Sequence, residues 1–413
     1  MFVCASVSAF AKEDALLNTF RSPPPSARPE VWWHWMNGNV SREGIVADLD
    51  AMAAVGIGGV TIFDVDCEIP PGSLKFNTPE WFDTVKFAVM EAAKRRIAVC
   101  LANCSGYSTA GGPWITPSNS MKIVSYSITD VAGGGEALID LAKPRSKHGF
   151  YSDVAVVAWP VPAAEMASME KAGVKMNVVK RNKNELECEF SFPEPYRASC
   201  WECRIFDSVR RWLMTCDAAL SFQDDSGKWK KVSSELLYVR FDIQEDENIR
   251  SFSFPEISAR RWRLVLKTDS SCSPIEHFKV DSFRLSRAAR ISNIANKANY
   301  VCMASPWRHY EASPEQIVRK KDIIDLTPAF DRASGQLKWK APAGLWRVMR
   351  VGYTSNGMVS HPTSLNGAGL ECDKLSKDGI TTVFNAYVGK LCDILGPSYA
   401  GNVEFGLNNV LVD

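Results

Sequence analysis

The chain has 413 residues, 46% of them hydrophobic, enough for two or three folded domains with real cores. Lys plus Arg (48) balances Asp plus Glu (47), so the net charge of +1 gives no electrostatic reason to expect nucleic acid or an anionic membrane as partner. No run approaches the roughly 20 apolar residues of a membrane span, and 12 cysteines spread over this length are too sparse for a disulfide-stapled scaffold. Residues 1–11 are small and apolar and end in Ala9-Phe10-Ala11 before Lys12, the pattern of a truncated secretory signal peptide, which predicts a periplasmic or secreted protein. From residue 29 to 118 short apolar runs alternate with helical patterns, the signature of β/α units around a parallel sheet. Val31 to Met36 reads as the first strand. Ser41 caps a helix with Ile45, Leu49 and Met52 on its buried side, and Gly56 ends it. Gly59 to Phe63 is a second strand that stops at Asp64. Thr78-Pro79 opens a helix with Phe82, Val85 and Val89 inside, and Ile97 to Ala102 is a third strand ending at Asn103.

Between residues 119 and 345 the texture changes to strands of alternating polarity separated by turns, with few helices. Ala219 to Phe222, the turn Asp224-Asp225-Ser226-Gly227, Trp229 to Val232 and Ser258 to Leu266 read as sandwich strands. The stretch of about 188–290, closing with Ser282-Phe283-Arg284-Leu285, resembles a galactose-binding-like jelly roll. The β/α texture then resumes over 346–413. Trp346 to Tyr353 is predicted as a strand, and Ser376 caps one helix running through Phe384, Tyr387, Val388 and Leu391. A final strand covers Asn408 to Val412.

Three chemistries compete for these residues. A dinucleotide site needs a glycine-rich turn after a strand and before a helix, whereas Gly56-Ile57-Gly58-Gly59 lies after a helix and before a strand. A serine or cysteine hydrolase needs a nucleophile set against histidine. Asn103-Cys104-Ser105-Gly106 offers one near His34 without a G-x-S-x-G elbow, and a packed thiol is the simpler role for Cys104. Glycoside hydrolysis needs paired carboxyl groups, and Asp64, Glu68, Glu371 and Asp373 stand at strand ends or in the loops after them. Acids of this kind also serve as oxygen ligands to Ca²⁺. The segment Trp32-Trp33-His34-Trp35-Met36-Asn37-Gly38-Asn39 mixes apolar rings with directional hydrogen-bonding groups, as a sugar pocket does; the plainer alternative is an aromatic core strand entering a turn. Parallel strands joined by helices put their carboxyl ends on one face, so Asn37, Asp64 and Asn103 are expected to share a site.

Four motifs carry a family resemblance: Trp32 to Asn39; Gly56 to Asp64; Asn103 to Ser108 with Gly111-Gly112-Pro113-Trp114-Ile115-Thr116-Pro117; and Gly369 to Ser376. In this order, around a β-rich insertion, they resemble glycoside hydrolase family 106, the α-L-rhamnosidases of bacterial plant-polysaccharide degradation. Cys372 departs from the pattern, standing where a small aliphatic residue is usual. The resemblance implies an α/β plus all-β fold: an incomplete (β/α)8 barrel over 12–118 and 346–413, with about five of eight strands, interrupted by a β-sandwich insertion at 119–345. It implies inverting hydrolysis of terminal α-L-rhamnose from oligo- or polysaccharides, with the catalytic glutamates beyond Asp413 in the missing carboxyl-terminal part of the barrel. On this reading Trp33, His34, Trp35, Asn37, Asn39, Asp64, Asn103, Trp114 and His361 bind substrate, and Glu371 and Asp373 hold Ca²⁺. The competing class is a non-catalytic carbohydrate-binding protein.

Overall fold

The structure is a computed structural model. It describes residues 16–24, 27–107, 110–204, 214–239, 249–268, 275, 278, 282–292, 310, 312–401 and 405–412. The expected signal segment and Asp413 lie outside the described residues. In chain order the main elements are β1 (Glu30–Met36), α1 (Arg42–Ala54), β2 (Gly59–Val65), α2 (Pro79–Lys94), β3 (Ala98–Ala102), β4 (Lys122–Gly133), β5 (Glu136–Asp140), β6 (Tyr151–Pro160), β7 (Lys175–Arg181), β8 (Glu185–Arg204), β9 (Met214–Gln223), β10 (Trp229–Val239), β11 (Ile249–Lys267), β12 (Arg284–Ser286), β13 (Ile324–Asp325), β14 (Phe330–Asp331), β15 (Gln336–Lys340), β16 (Gly344–Ser355), α3 (Lys377–Ala386), α4 (Val388–Leu395) and β17 (Leu407–Leu411). Two compact units emerge: Met1–Ser127 with Ala142–Ala155 and Arg350–Asp413, and Ile128–Leu141 with Val156–Met349.

The first unit is built on a parallel sheet of order β1-β2-β3-β17. Its helices start where the sequence says they must. The Ser41 hydroxyl accepts from the Gly44 N–H at 3.1 Å and that of Thr78 from the Trp81 N–H at 3.3 Å, with Pro79 at the first helical position. Ile45 and Leu49 of α1 and Trp81, Phe82, Val85 and Val89 of α2 are buried against Val60, Ile62, Val99 and Leu101 of the sheet. Gly56, at φ +84°, takes the left-handed conformation that ends α1.

Two expectations fail here. The single helix predicted after Ser376 is two, because Tyr387 leaves helical geometry (φ −130°, ψ −79°) and separates α3 from α4; Phe384 is then exposed while Tyr387 is fully buried. The strand predicted at Trp346 to Tyr353 lies within β16 and does not extend the parallel sheet. It takes a place in a separate sheet of order β13-β6-β16-β4, leaving four parallel strands among the described residues rather than five. Along most of its length buried and half-buried residues alternate, unlike a strand buried on both faces of a parallel sheet.

In the second unit an antiparallel sheet of order β10-β9-β11-β8-β12, with β7 pairing on β8, carries a large aromatic core that includes Trp201, Trp262, Phe190 and Phe283. The turn read at Asp224 to Gly227 joins β9 to β10. Asp224 Oδ1 accepts from the Ser226 and Lys228 N–H groups, and Gly227 sits at φ +79°. A smaller core, with Val156, Leu326, Leu337 and Trp346, packs the short sheet β14-β15-β5.

Candidate functional site

Strand β1 shows opposite chemistry on its two faces, because successive side chains alternate. Trp33 and Trp35 turn toward the helices. Trp33 Nε1 donates to Asp48 Oδ2 of α1 at 3.0 Å, and Trp35, only 1% exposed, meets Trp33 and Trp81 edge-on at 5.7 and 6.3 Å between ring centres. These two tryptophans, expected to bind sugar, are members of the helix-side core.

Trp32 and His34 occupy the other face, with Phe63 of β2 and Tyr107 from the loop after β3. His34 stacks on Phe63 at 5.6 Å; Trp32 lies 4.9 Å from Phe63 and 6.5 Å from Tyr107; Tyr107 meets His34 edge-on at 5.9 Å. Trp32 is 64% exposed and Tyr107 38%, so this is an open ring surface rather than a closed core. His34 Nε2 is buried in it with no hydrogen-bond partner. Partial burial, with the Cys67 thiol alongside, raises the Tyr107 hydroxyl above its ordinary pKa. Phe63 and Tyr107 were missed as site residues; the period of two from Trp32 to His34 stays within β1, and the β1–β2 register and the loop after β3 bring these two rings in.

The carboxamides and acids do not converge on that surface. Asn37 Nδ2 donates to Ile69 O (2.7 Å), and Asn39 Nδ2 donates to Met36 O (3.0 Å) and Pro70 O (2.9 Å). Both thereby bind the turn after β1 to the loop after β2. Gly38 between them, at φ +73°, lies so close to that loop that a Cβ would sit 2.0 Å from Leu74 O. Asn103 is buried and its Oδ1 accepts from the Ala110 N–H at 3.2 Å. Asp64, 4% exposed, points to the helix side, where its carboxylate accepts from Trp81 Nε1 (3.2 Å) and from Ser105 Oγ (2.9 Å). Burial pushes its pKa up to about 6 against those two hydrogen bonds. In this chain Asn37, Asp64 and Asn103 brace loops through these bonds. Cys104, the other residue weighed for chemistry, is a buried thiol held up at about 11 by desolvation, which suits packing and not nucleophilic attack.

Trp114 stacks on Tyr387 at 5.9 Å, with its Nε1 buried and unpartnered. His361 is exposed, and its carbonyl accepts from the Tyr107 N–H at 3.1 Å, which brings its backbone to the edge of the ring surface. Glu371 and Asp373 lie along a segment zipped to the loop after β3 by the bridges Gly111 to Glu371 and Ser120 to Cys372. Glu371 is paired with Lys374 and accepts from Asn356 Nδ2, and Asp373 faces Lys122 at 3.7 Å. Among the described residues no group of three or more His, Cys, Asp or Glu side chains converges as a metal site. A pair of acids already neutralised by lysines does not fit Ca²⁺, which takes six to eight oxygens.

A family model described as alpha-L-rhamnosidase, glycoside hydrolase family 106, matches residues 21–413. The chain belongs to glycoside hydrolase family 106. The rhamnosidase of Novosphingobium sp. PP1Y is 28% identical in sequence and superposes with a TM-score of 0.74, over 96% of this chain and 39% of that one. A Formosa agariphila protein named "Putative beta-glucuronidase" is 27% identical over 99% of this chain and 25% of its own length. This family 106 chain thus spans well under half the length of both. Its α/β architecture, with parallel and antiparallel sheets, resembles that rhamnosidase, and the Trp32 to Asn39 motif supplies both its helix-side core and its exposed ring surface.

Proposed function

We propose that this chain forms the sugar-binding part of a (β/α)8-barrel glycoside hydrolase that removes terminal α-L-rhamnose from plant-type oligo- or polysaccharides. The observation that carries the reading is the ring cluster of Trp32, His34, Phe63 and Tyr107, open to solvent at Trp32 and Tyr107, on the face of the parallel sheet away from the helices. In a barrel that face lines the interior, whose carboxyl-end mouth takes the ligand, and rings at that mouth stack on the apolar face of a sugar. None of the four parallel strands contains a lysine or arginine. A uronic acid carboxylate calls for such cations, whereas the C5 methyl of a 6-deoxy sugar calls for apolar surface. That contrast favours a rhamnoside over a glucuronide.

Inverting hydrolysis requires one carboxylic acid to protonate the glycosidic oxygen and a second carboxylate to activate water on the opposite face of the sugar. Asp64, Glu371 and Asp373 are each committed to other partners. The acid and base are assigned, on the family resemblance alone, to the part of the longer protein that this chain does not span. Calcium, implied by the family resemblance alone, is not assigned to these residues. A periplasmic or secreted location follows from the reading of residues 1–11, and the stretch 188–290 is assigned as a galactose-binding-like module.

The test pairs binding with turnover. Methyl α-L-rhamnoside should change the tryptophan emission of the 413-residue chain and methyl β-glucuronide should not, while neither an aryl α-L-rhamnoside nor an aryl β-glucuronide is hydrolysed. Hydrolysis of the aryl rhamnoside would overturn the assignment of the acids. Binding of the rhamnoside without turnover, persisting in the longer natural protein, would make this a non-catalytic carbohydrate-binding protein.

A further inference from the structure

Asp64 and two hydroxyl residues form a relay that the glycosidase reading leaves unused. Ser105 Oγ donates to the Asp64 carboxylate at 2.9 Å and lies 3.1 Å from the Asp64 carbonyl oxygen. The Thr363 hydroxyl donates to Ser105 Oγ at 2.5 Å. The far end of the relay is anchored in the core, since Trp81 Nε1 holds the other carboxylate oxygen and Trp81 is itself fully buried. Asp66 and Tyr387 also interact with this carboxylate, and neither is cationic.

Two glycines mark how closely the relay is packed. A Cβ on Gly367 would stand 2.4 Å from Thr363 Oγ1 and 2.6 Å from Ser105 Cβ. A Cβ on Gly106 would stand 3.0 Å from the His361 backbone, at a φ of +89° that already disfavours a side chain. With the Tyr107 N–H to His361 carbonyl bond, the 361–367 turn is held at both ends against the loop after β3. Ordinary surface turns have no such double tether.

We propose that Asp64 is a positioning residue: through Ser105 it fixes Thr363, and so holds the His361 turn beside Tyr107 at the edge of the ring surface. The effect on ligand rests on the sugar-binding reading; the mechanical claim does not. An isolated hydroxyl on a half-exposed turn contributes little, but one that completes a chain to a buried carboxylate removes the turn's main route to opening.

The experiment is hydrogen exchange over residues 361–369 of the 413-residue chain, where the Gly367 and Ala368 amides both bond to Ser364 O. Thr363→Val and Ser105→Ala should each speed exchange there by about three- to tenfold, the loss of one hydrogen bond of ordinary worth. The double variant should be no faster than either alone, and Thr363→Ser should restore the wild-type rate. An unchanged rate in Thr363→Val, additive effects in the double variant, or failure of Thr363→Ser to rescue would each overturn the relay. Thr363 is half-exposed and the valine is isosteric, so the test survives even if Ser105→Ala unfolds. In parallel, methyl α-L-rhamnoside should bind Thr363→Val more weakly by a similar factor. Faster exchange with no sugar binding in either protein would leave the relay standing and remove the sugar reading; faster exchange with undiminished sugar binding would remove the positioning role.

Discussion

The aromatic residues of the antiparallel β7 to β12 sheet and those of the parallel sheet are used in opposite ways. In the former the rings are closed in and their polar atoms are satisfied: Trp201 Nε1 donates to Ser233 Oγ at 3.0 Å and Trp262 Nε1 to Ala259 O at 3.2 Å, and both side chains are fully buried. Around the parallel sheet, Trp35 Nε1, Trp114 Nε1 and His34 Nε2 are buried without partners, and Trp32 stands open to solvent. A buried polar atom without a partner costs about 1–3 kcal/mol. One region is a closed core; the other combines a helix-side core with rings, Trp32 and Tyr107, that stand open to solvent.

The largest effect that sharpens this contrast is expected at Trp201, which stacks on Phe252 at 4.7 Å inside the finished core. Trp201→Ala should cost about 3–5 kcal/mol in urea unfolding, and a loss below about 1 kcal/mol would mean that this core is not closed. Asp64 comes next. Its carboxyl holds its proton more tightly in the fold, at about 6 against 3.8, so its contribution to stability is greatest below 3.8 and falls as pH rises to 6 and above. The span is about 3 kcal/mol, and Asp64→Asn should flatten that part of the stability profile between pH 4 and 7. An unaltered slope would place the carboxylate in solvent. Thr78→Ala should cost about 1 kcal/mol by uncapping α2, read as a lower urea midpoint with unchanged slope. Trp32→Ala should be smallest, within about 0.5 kcal/mol, because an open ring leaves no cavity behind. A cost like that of Trp201 would make Trp32 core and break the comparison.

Much of this was legible in the residues. Ser41, Thr78-Pro79 and Ser376 mark helix starts because capping is local chemistry, and each caps as expected. What the segment Trp32 to Asn39 could not show by composition was which rings face which way; alternation resolves it, sending Trp33 and Trp35 to the helices and leaving Trp32 and His34 outside. The strand-end acids misled because a residue type favoured at strand ends is equally suited to bracing loops, and only partners at long separation, such as Trp81 and Ser105 for Asp64, tell the roles apart. The break at Tyr387 was hidden for the same reason: the tertiary packing of its ring against Phe76, Trp81 and Trp114 overrides a continuous helical pattern. Strand β16 belongs to the same lesson, since sheet membership is decided by neighbours far along the chain.

The central claim is that the ring surface of β1 and β2 binds a 6-deoxy sugar, and titration of the wild-type chain and of Trp32→Ala with methyl α-L-rhamnoside, followed by tryptophan emission and calorimetry, tests it most directly. The account predicts saturable binding to the wild type and a loss of at least about tenfold in affinity for the variant, with its fold unchanged. Equal affinity in the two proteins would contradict it.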